Sequence, residues 1–166
     1  MPFVIDEELE INAPIDVVWE VITDLPSYEH WNPFVVSCRS TLVVGDPIDM
    51  RVRIFSWFAQ PQRETIQDHI SGRRLCYGLD GGRMGAVISR RCHELQAAGP
   101  QRTRYQSRFA LSGWLAPVTR ILLGGCLRDG FRSMTAAIRQ RAEQLQTQRE
   151  AAARPSPNSA RAPASA

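Results

Sequence analysis

The stretch IDVVWEVITDLPSYEHWNPFV, residues 15–35, contains the pattern that decides the fold. Its first half places apolar residues at helical spacing directly after a proline: Ile15, Val18, Trp19 and Ile22. Proline suits the first turn of a helix, where its missing N–H is not needed. Pro26 ends this helix and begins a second, shorter one, which Pro33 terminates. The sequence therefore predicts two short helices joined at an angle, which we call the elbow.

Strands are predicted on both sides of the elbow. Phe3, Ile5, Leu9 and Ile11 alternate imperfectly with polar residues and predict one strand before it. From Val35 to Leu111 the apolar period is again two, and turn-forming residues interrupt it at Gly45-Asp46-Pro47, Ala59-Gln60-Pro61, Ser71-Gly72, Asp80-Gly81-Gly82 and Ala98-Gly99-Pro100. These breaks predict about six further strands in an antiparallel meander.

Each strand offers one row of side chains to the interior. In residues 48–54, apolar residues alternate with Asp49, Arg51 and Arg53, so one face is apolar and the other polar. The same alternation gives the inward rows Leu75, Tyr77, Leu79; Arg91, His93, Leu95; and Tyr105, Ser107, Phe109, Leu111. Since neighbouring strands of a meander pair, we expect Tyr77, His93, Tyr105 and Ser107 to lie together.

A long helix is predicted after Gly113. Its apolar positions follow steps of three and four, or close multiples: Leu115, Val118, Leu122, Cys126, Met134, Ile138, Ala142 and Leu145. Gly124 and Gly125 in its middle favour a bend or a need for space. Residues 149–166 are rich in Ala, Pro, Ser and Arg and are expected to form a disordered tail. The expected organisation is one ligand-binding domain over 1–148 and this tail over 149–166.

Composition excludes several functions. The chain of 166 residues has 20 basic residues, all arginine, so mechanisms that need a Schiff-base or phosphate-loop lysine are excluded. The net charge of +3 is spread along the chain and mixed with acids, which favours an ordinary solvated surface over a nucleic-acid interface. The four cysteines have no metal-binding spacing. No metal and no cofactor is expected.

The expected location is the cytoplasm. Acidic residues follow the N-terminus where a signal peptide needs basic residues and a long apolar run, so we expect reduced thiols. The most apolar stretch, residues 114–127, is too short and too interrupted to span a bilayer. A buried core helix is favoured for it, and a helix resting on a membrane surface is the alternative.

The order of these elements carries a family resemblance. The runs INAPIDVVWEVITDLPSYEHWNPFV, GPQRTRYQSRFALSGWLAPVTRILLGG and FRSMTAAIRQRAEQL resemble the polyketide cyclase/dehydrase and lipid-transport proteins of the START-like, Bet v 1-like (SRPBCC) superfamily. The resemblance covers residues 3–148. It implies an α+β helix-grip fold, in which a curved seven-stranded antiparallel sheet wraps around the long C-terminal helix. It also implies a deep apolar pocket between them, used by different members for lipids, quinones, hormones or polyketides.

This architecture identifies candidate site residues. We expect the pocket to open near the elbow and the sheet turns, where Trp31 and Phe34 supply apolar surface, although Trp31 packing beneath the final helix is an equal alternative. The full set of candidate ligand-binding residues is Trp31, Phe34, Met50, Val52, Tyr77, His93, Tyr105, Ser107, Phe109, Leu122 and Cys126. Glu64 and Asp68 share a parity with Ile66 and Ile70 and would need a partner such as Arg91 if buried.

Three functions remain open. The first is binding, and possibly transport or sequestration, of a small hydrophobic lipid-like or aromatic molecule. The second is a cyclase or dehydratase, in which His93 and Tyr105 would move a proton, although His93 is more simply explained as a hydrogen-bonded sheet residue. The third is an interaction module, as in START-like relatives on ribosomes or quinone assemblies, with the Arg-rich last helix as docking surface. A monomer or a homodimer is expected.

Overall fold

The computed structural model describes residues 2–55, 57–81 and 84–154. The strands are β1 (Phe3–Ile11), β2 (Val35–Ser40), β3 (Pro47–Phe55), β4 (Phe58–Ile70), β5 (Arg74–Gly78), β6 (Ile88–Gly99) and β7 (Arg102–Ser112). The helices are α1 (Ile15–Thr23), α2 (Tyr28–Trp31) and α3 (Ala116–Ala153), with a single 3₁₀ turn at Leu25–Ser27 between α1 and α2.

The seven strands form one antiparallel sheet in the order β1-β7-β6-β5-β4-β3-β2. Strands β2 to β7 are sequential neighbours, and β1 closes the series beside β7. Helix α3 packs against this sheet, together with α1. The predicted α+β helix-grip fold is confirmed, with its seven strands, its two short helices after β1 and its long final helix.

The elbow is fixed by its own hydrogen bonds. The hydroxyl of Tyr28 donates to the carbonyl oxygen of Ile22 at 2.7 Å, which ties α2 back to α1. The Oδ1 atom of the buried Asn32 accepts from the backbone N–H groups of Phe34 and Val35, at 3.0 and 2.9 Å. Such a turn suits the residue before a proline, whose backbone is already extended. The chain therefore enters β2 with Phe34 directed into the interior.

The predicted break at Ala59-Gln60-Pro61 is wrong, since these residues lie within β4. Pro61 pairs in register with Arg51 of β3. On its other side β4 pairs with β5 only from Thr65 onward, so Pro61 lies at an open edge where its missing N–H disrupts no ladder. Instead, β3 ends at Phe55 and β4 begins at Phe58.

Helix α3 buries a different stripe in its first turns from the one that the sequence predicts. Its buried face follows Leu127, Phe131, Met134, Ile138 and Ala142 at steps of three and four. Extended backwards, this stripe passes through Leu123 and Thr119, whereas Val118 and Leu122 are exposed. Apolar residues occupy both faces of this segment, so periodicity alone does not decide which face is buried.

The final helix is also longer than predicted. It continues through Ala153, so residues 149–153 are helical rather than part of a disordered tail. The guanidinium of Arg149 contributes to this extension by donating to a carboxylate oxygen of Glu20 on α1 at 2.5 Å. The rest of the predicted tail, residues 155–166, lies outside the described residues.

Two of the four cysteines are bonded, which corrects the expectation of reduced thiols. Cys76 of β5 and Cys92 of β6 are far apart in the sequence but directly opposite each other in the sheet, with Cα atoms 4.2 Å apart, and they form a disulfide. Cys38 and Cys126 are free. The pairing follows from the register of β5 on β6, which the sequence pattern did not specify.

One glycine of α3 is required by packing. A Cβ at Gly130 would overlap the ring atoms Cε2, Cδ2 and Cζ of Phe34, whereas a Cβ at Gly125 would meet nothing within 4 Å. Gly124 makes only ordinary van der Waals contact with Phe3. The need for space predicted at Gly124-Gly125 therefore occurs one to two turns later, where the elbow touches the helix.

We expect Gly130→Ala and Gly125→Ala to change stability in opposite directions. Alanine favours a helix over glycine by about 1 kcal/mol, so Gly125→Ala should raise the free energy of unfolding by about 0.5–1 kcal/mol. Gly130→Ala should lower it by about 1–3 kcal/mol, because the new methyl group must displace Phe34. Urea unfolding measures both, and equal gains in the two variants would contradict the close contact.

Candidate functional site

A cavity of about 300 Å³ lies between the sheet and the first half of α3. Most of its wall is apolar, and β2, β3, β4, β5, β6, β7 and α3 all contribute side chains to it. The lining residues are Phe34, Val35, Met50, Val52, Ile54, Gln60, Gln62, Glu64, Tyr77, Leu79, Val87, Ser89, Arg91, Phe109, Leu111, Thr119, Leu123, Leu127 and Phe131. Beside the second half of α3 the interior is filled by protein side chains, among them Met134 and Ile138.

The cavity opens at one end of the sheet. Its partly exposed wall residues are on the β3–β4 hairpin, the β5–β6 loop and the start of α3: Ile54, Gln60, Gln62, Glu64, Leu79, Val87, Thr119 and Leu123. Two hydrogen bonds fix the loop to the helix: Leu115 N–H donates to Ala86 O at 3.0 Å, and Trp114 Nε1 donates to Met84 O at 3.1 Å. We call this end the mouth.

The elbow forms an inner wall rather than the entrance. Phe34 lines the cavity but is buried, and its ring lies 5.0 Å from that of Phe131, centroid to centroid. Trp31 does not line the cavity. Its ring packs edge-on against Tyr28 at 4.9 Å, and its Nε1 donates to Ser27 Oγ at 3.0 Å. In the structure the partly exposed part of the cavity wall is therefore at the sheet turns and the start of α3, whereas the elbow side is buried.

A buried arginine reaches this cavity from β6. Arg91 is only 2% exposed, and its guanidinium carbon lies 4.2 Å from the centroid of the Phe131 ring. Within the described part of the chain, none of its three guanidinium nitrogens has a hydrogen-bond partner. A buried charge is costly unless it is paired and hydrogen-bonded. The face of an aromatic ring compensates part of that cost, and the guanidinium N–H groups are left without acceptors among the described residues.

A carboxyl group lines the same cavity from β4. Burial raises the pKa of Glu64 to about 7, against the smaller opposing effects of a hydrogen bond from Gln62 and of the Arg91 charge. The Nε2 atom of Gln62 donates to Glu64 Oε1 at 3.3 Å. Glu64 is therefore close to half-protonated at neutral pH and supplies either a proton or a negative charge.

The other predicted inward carboxylate, Asp68, does not reach the cavity. The β4–β5 register shifts between Ile66 and Asp68, which turns Asp68 toward Arg74 with an N···O distance of 2.8 Å. Of the two acids that were expected to need Arg91 as a partner if buried, only Glu64 lines the cavity with it. Arg91 lowers the pKa of Glu64 through its charge and not through an ion pair in contact.

The predicted polar group on the sheet is present, deeper than the cavity. His93 is fully buried, with Nδ1 2.8 Å from the Tyr105 hydroxyl and Nε2 3.3 Å from the Tyr77 hydroxyl. Thr135 of α3 donates to Ser107 Oγ at 3.2 Å. Burial holds the pKa of His93 well below its usual value, so its ring stays neutral. Of this group only Tyr77 lines the cavity.

The structure brings together five of the predicted ligand-binding residues at the cavity wall: Phe34, Met50, Val52, Tyr77 and Phe109. Trp31, His93, Tyr105, Ser107, Leu122 and Cys126 lie outside it. The sequence pattern did not assign Leu123, Leu127 and Phe131 to the pocket. It predicted an inward stripe through Leu122 and Cys126, one residue before the stripe that lines the cavity. Arg91 and Glu64 were recognisable from strand parity, but a charged side chain in an inward row is not by itself evidence of a site.

A second depression is larger but differs in chemistry. It measures about 1130 Å³, lies open between β1 and the later turns of α3, and is lined mainly by charged and amide side chains such as Glu8, Arg132 and Arg139. Such a surface groove is well solvated and lacks the apolar enclosure of a small-molecule site. Across the described ranges no three His, Cys, Asp or Glu side chains converge as they would around a metal ion.

The fold and the cavity together define a helix-grip protein with an internal pocket. Residues 2–143 match the model of the polyketide cyclase / dehydrase and lipid transport family, and the chain belongs to that family. No curated protein matches the sequence closely enough to count as a relative.

Solved structures with the same fold have divergent sequences. A START superfamily protein from Mycobacterium smegmatis superposes with a TM-score of 0.65 at 18% identity, over 86% of this chain and 98% of the other. The Zhui aromatase/cyclase from Streptomyces sp. R1128 gives 0.63 at 14% identity, over 90% and 96%. A protein from Nitrosomonas europaea gives 0.65 at 19%, over 89% and 96%. At these identities the likeness concerns the fold alone. No helix in the described ranges is long and apolar enough to cross a bilayer.

We expect Arg91→Met to stabilise the protein. Methionine keeps much of the arginine volume and its contact with Phe131 but removes a buried charge that lacks hydrogen-bond acceptors, so the free energy of unfolding should rise by about 1–3 kcal/mol. The matched control is Arg108→Met, an exposed position on β7 that should change stability by less than about 0.5 kcal/mol. Urea unfolding that shows Arg91→Met clearly less stable than the natural protein would contradict the unpaired state of Arg91.

Proposed function

We propose that the protein binds a small and largely apolar molecule that carries one acidic oxygen group. The molecule would occupy the cavity between the sheet and α3, with its acidic group at Arg91 and its apolar part toward the mouth. The observation that carries this proposal is a buried guanidinium, without a hydrogen-bond partner among the described residues, on the wall of a mostly apolar cavity.

The shape and composition of the cavity support a small molecule. Its volume of about 300 Å³ is at the lower end of the range for ligand pockets. Aromatic rings cluster at its inner end, where the Phe131 centroid lies 4.6 Å from that of Phe109 and 5.0 Å from that of Phe34. Burying a flat apolar group there would contribute roughly 25 cal/mol per Å² of apolar surface removed from water.

The polar groups support an acidic oxygen rather than a basic or neutral one. A guanidinium binds a carboxylate or a similar anion through two parallel N–H donors, and it offers nothing to a cationic ligand. Tyr77 lies beside it in the register, since Tyr77 of β5 pairs with Arg91 of β6. Burial raises the pKa of Tyr77, so its hydroxyl stays protonated. The ligand anion would thus replace the missing partners of Arg91.

Glu64 would make this binding depend on pH. Above about pH 7 its carboxylate is ionised and repels a second anion, and below that pH its neutral form does not. A simple carboxylic acid ligand stays ionised over the same range because its own pKa is near 4. Affinity should therefore fall as the pH rises through 7, in contrast to a site that holds its anion with arginine alone.

We expect the protein to prefer 2-naphthoic acid over the neutral 2-naphthamide by about tenfold or more at pH 6, a difference of about 1.4 kcal/mol. The two probes share shape and apolar area, so the preference reports the charge at Arg91. Titration calorimetry measures both affinities in the natural protein and in Arg91→Met, where the preference should vanish. Equal affinities for acid and amide in the natural protein would contradict the proposal.

The control variant for the same titrations is Glu64→Gln. It keeps the shape and the hydrogen bond to Gln62 but removes the titrating group, so affinity for 2-naphthoic acid should become nearly constant between pH 6 and pH 8. In the natural protein the affinity should fall over that interval. An unchanged pH dependence in Glu64→Gln would assign it to another group.

A cyclase or dehydratase is the second candidate, and Glu64 with Arg91 favours it more than His93 with Tyr105 does. A carboxyl group with a pKa of about 7 is suited to exchange protons near neutrality, and a guanidinium stabilises a developing enolate oxygen. His93 is enclosed by two phenols and does not line the cavity. One of the similar structures is an aromatase/cyclase, which adds support to this alternative.

We expect this activity, if present, to appear as exchange of the acidic C1 protons of 2-tetralone in D₂O, followed by proton NMR. Glu64→Gln should abolish the protein-dependent exchange, because it removes the proton acceptor in the wall. His93→Phe should retain most of it. Loss in His93→Phe with retention in Glu64→Gln would return the role to the buried network. No exchange above the buffer rate with the natural protein would leave binding as the function.

The third predicted function, docking on a ribosome or a quinone assembly, stays an untested prediction. The descriptions of the similar proteins mention neither partner. The cytoplasmic location and the oligomeric state of the protein likewise remain predictions.

A further inference from the structure

The mouth of the cavity is surrounded by exposed apolar side chains. On the β3–β4 hairpin, Phe55 stacks on Trp57 and Trp57 contacts Phe58, with ring centroids 5.8 and 6.0 Å apart. On the other elements of the mouth, the exposed apolar residues are Met84, Ile88, Trp114, Val118, Ile121 and Leu122. Trp57 is 80% exposed and Ile121 is 82% exposed, values far above those of ordinary surface residues of this type.

These residues lie on elements that line one end of the same cavity. Ile54 and Gln60 of the hairpin line the cavity together with Thr119 and Leu123 of α3 and Val87 of the loop. The bond from Trp114 Nε1 to Met84 O holds the loop against the start of the helix. We call the apolar rim formed by Trp57, Phe58, Met84, Trp114 and Ile121 the mouth rim. Large apolar side chains that are exposed around one opening, rather than scattered singly over the surface, mark an interaction site.

The charges on the elements of the mouth are mostly positive. Among the described residues of 51–60, 79–88 and 113–128, Arg51, Arg53, Arg120 and Arg128 are basic and Asp80 is acidic, and Glu64 of the cavity wall is a second acidic residue nearby. Asp80 accepts a hydrogen bond from Gln67 Nε2 at 3.2 Å. Tryptophan, long aliphatic side chains and arginine together are the composition of a surface that enters the interface of an anionic bilayer.

We propose that the mouth rim docks onto anionic lipid bilayers, inserting Trp57, Trp114 and Ile121 at the headgroup level while the neighbouring arginines contact lipid phosphates. A second copy of this chain fits the surface less well, because a twofold contact would bring arginines of one sign against each other. Docking in this orientation places the cavity opening against the membrane. A ligand would then pass between the cavity and the membrane without crossing water. This consequence rests on the proposed function.

The test is flotation of the full chain with vesicles of phosphatidylcholine, with and without phosphatidylglycerol. The protein should float with the anionic vesicles and do so less in high salt. The double variant Trp57→Glu/Ile121→Glu should lower the partition coefficient by about tenfold or more. The matched control is Val43→Glu/Val44→Glu, which adds the same charge at positions 57% and 56% exposed on the β2–β3 loop and should bind as the natural protein does.

Three results would overturn membrane docking. They are no flotation of the natural protein with anionic vesicles, an equal loss in the two double variants, or a dimer that Trp57→Glu/Ile121→Glu dissociates while vesicles are not bound. The last result would assign the rim to a second copy. The proposed function is tested separately: Trp57→Glu/Ile121→Glu should retain its affinity for 2-naphthoic acid, and Arg91→Met should retain flotation, so the failure of one proposal is distinguishable from that of the other.

Discussion

The guanidinium of Arg91 lies inside the protein against an aromatic ring, and among the residues that the structure describes none accepts its hydrogen bonds. A folded chain tolerates such a group only if the rest of its structure is stable enough to bear the cost. Here that stability comes from the continuous sheet and from the apolar stripe of α3. A guanidinium in the wall of a mostly apolar cavity suits an anionic group on an apolar ligand. The position of this one charge therefore connects the fold to the class of ligand that we propose.

The interior is divided into two parts along α3. Beside Met134, Ile138 and Thr135 the sheet and helix are in contact, and the polar side chains there satisfy one another through His93. Beside Leu123 and Leu127 the sheet and the helix are separated, and the cavity lies between them. Close packing at one end holds the two layers in register, which allows the other end to stay open without collapse. Gly130 lies between the two parts, where the elbow presses Phe34 against the helix.

Much of this architecture follows from sequence patterns. Prolines at 14, 26 and 33 identify the elbow, and period-two alternation identifies the inward rows, so Tyr77, His93, Tyr105 and Ser107 were correctly expected to lie together. Other features depend on three-dimensional distances that such patterns do not contain. Leu122 and Leu123 are equally apolar, and only the packing angle of α3 decides which one faces the cavity. The disulfide depends on the β5–β6 register. Pro61 is tolerated within β4 because β5 is too short to pair with that part of the strand.

A crystal structure with 6-bromo-2-naphthoic acid tests most directly whether the acidic group of a ligand lies at Arg91 and its apolar part toward the mouth. The bromine position is identified by anomalous scattering independently of the model of the ligand. The account predicts carboxylate oxygens within about 3 Å of the Arg91 guanidinium nitrogens and the bromine near Thr119 and Ile54 at the mouth. A bromine buried beside Arg91, with the carboxylate in solvent, would contradict it.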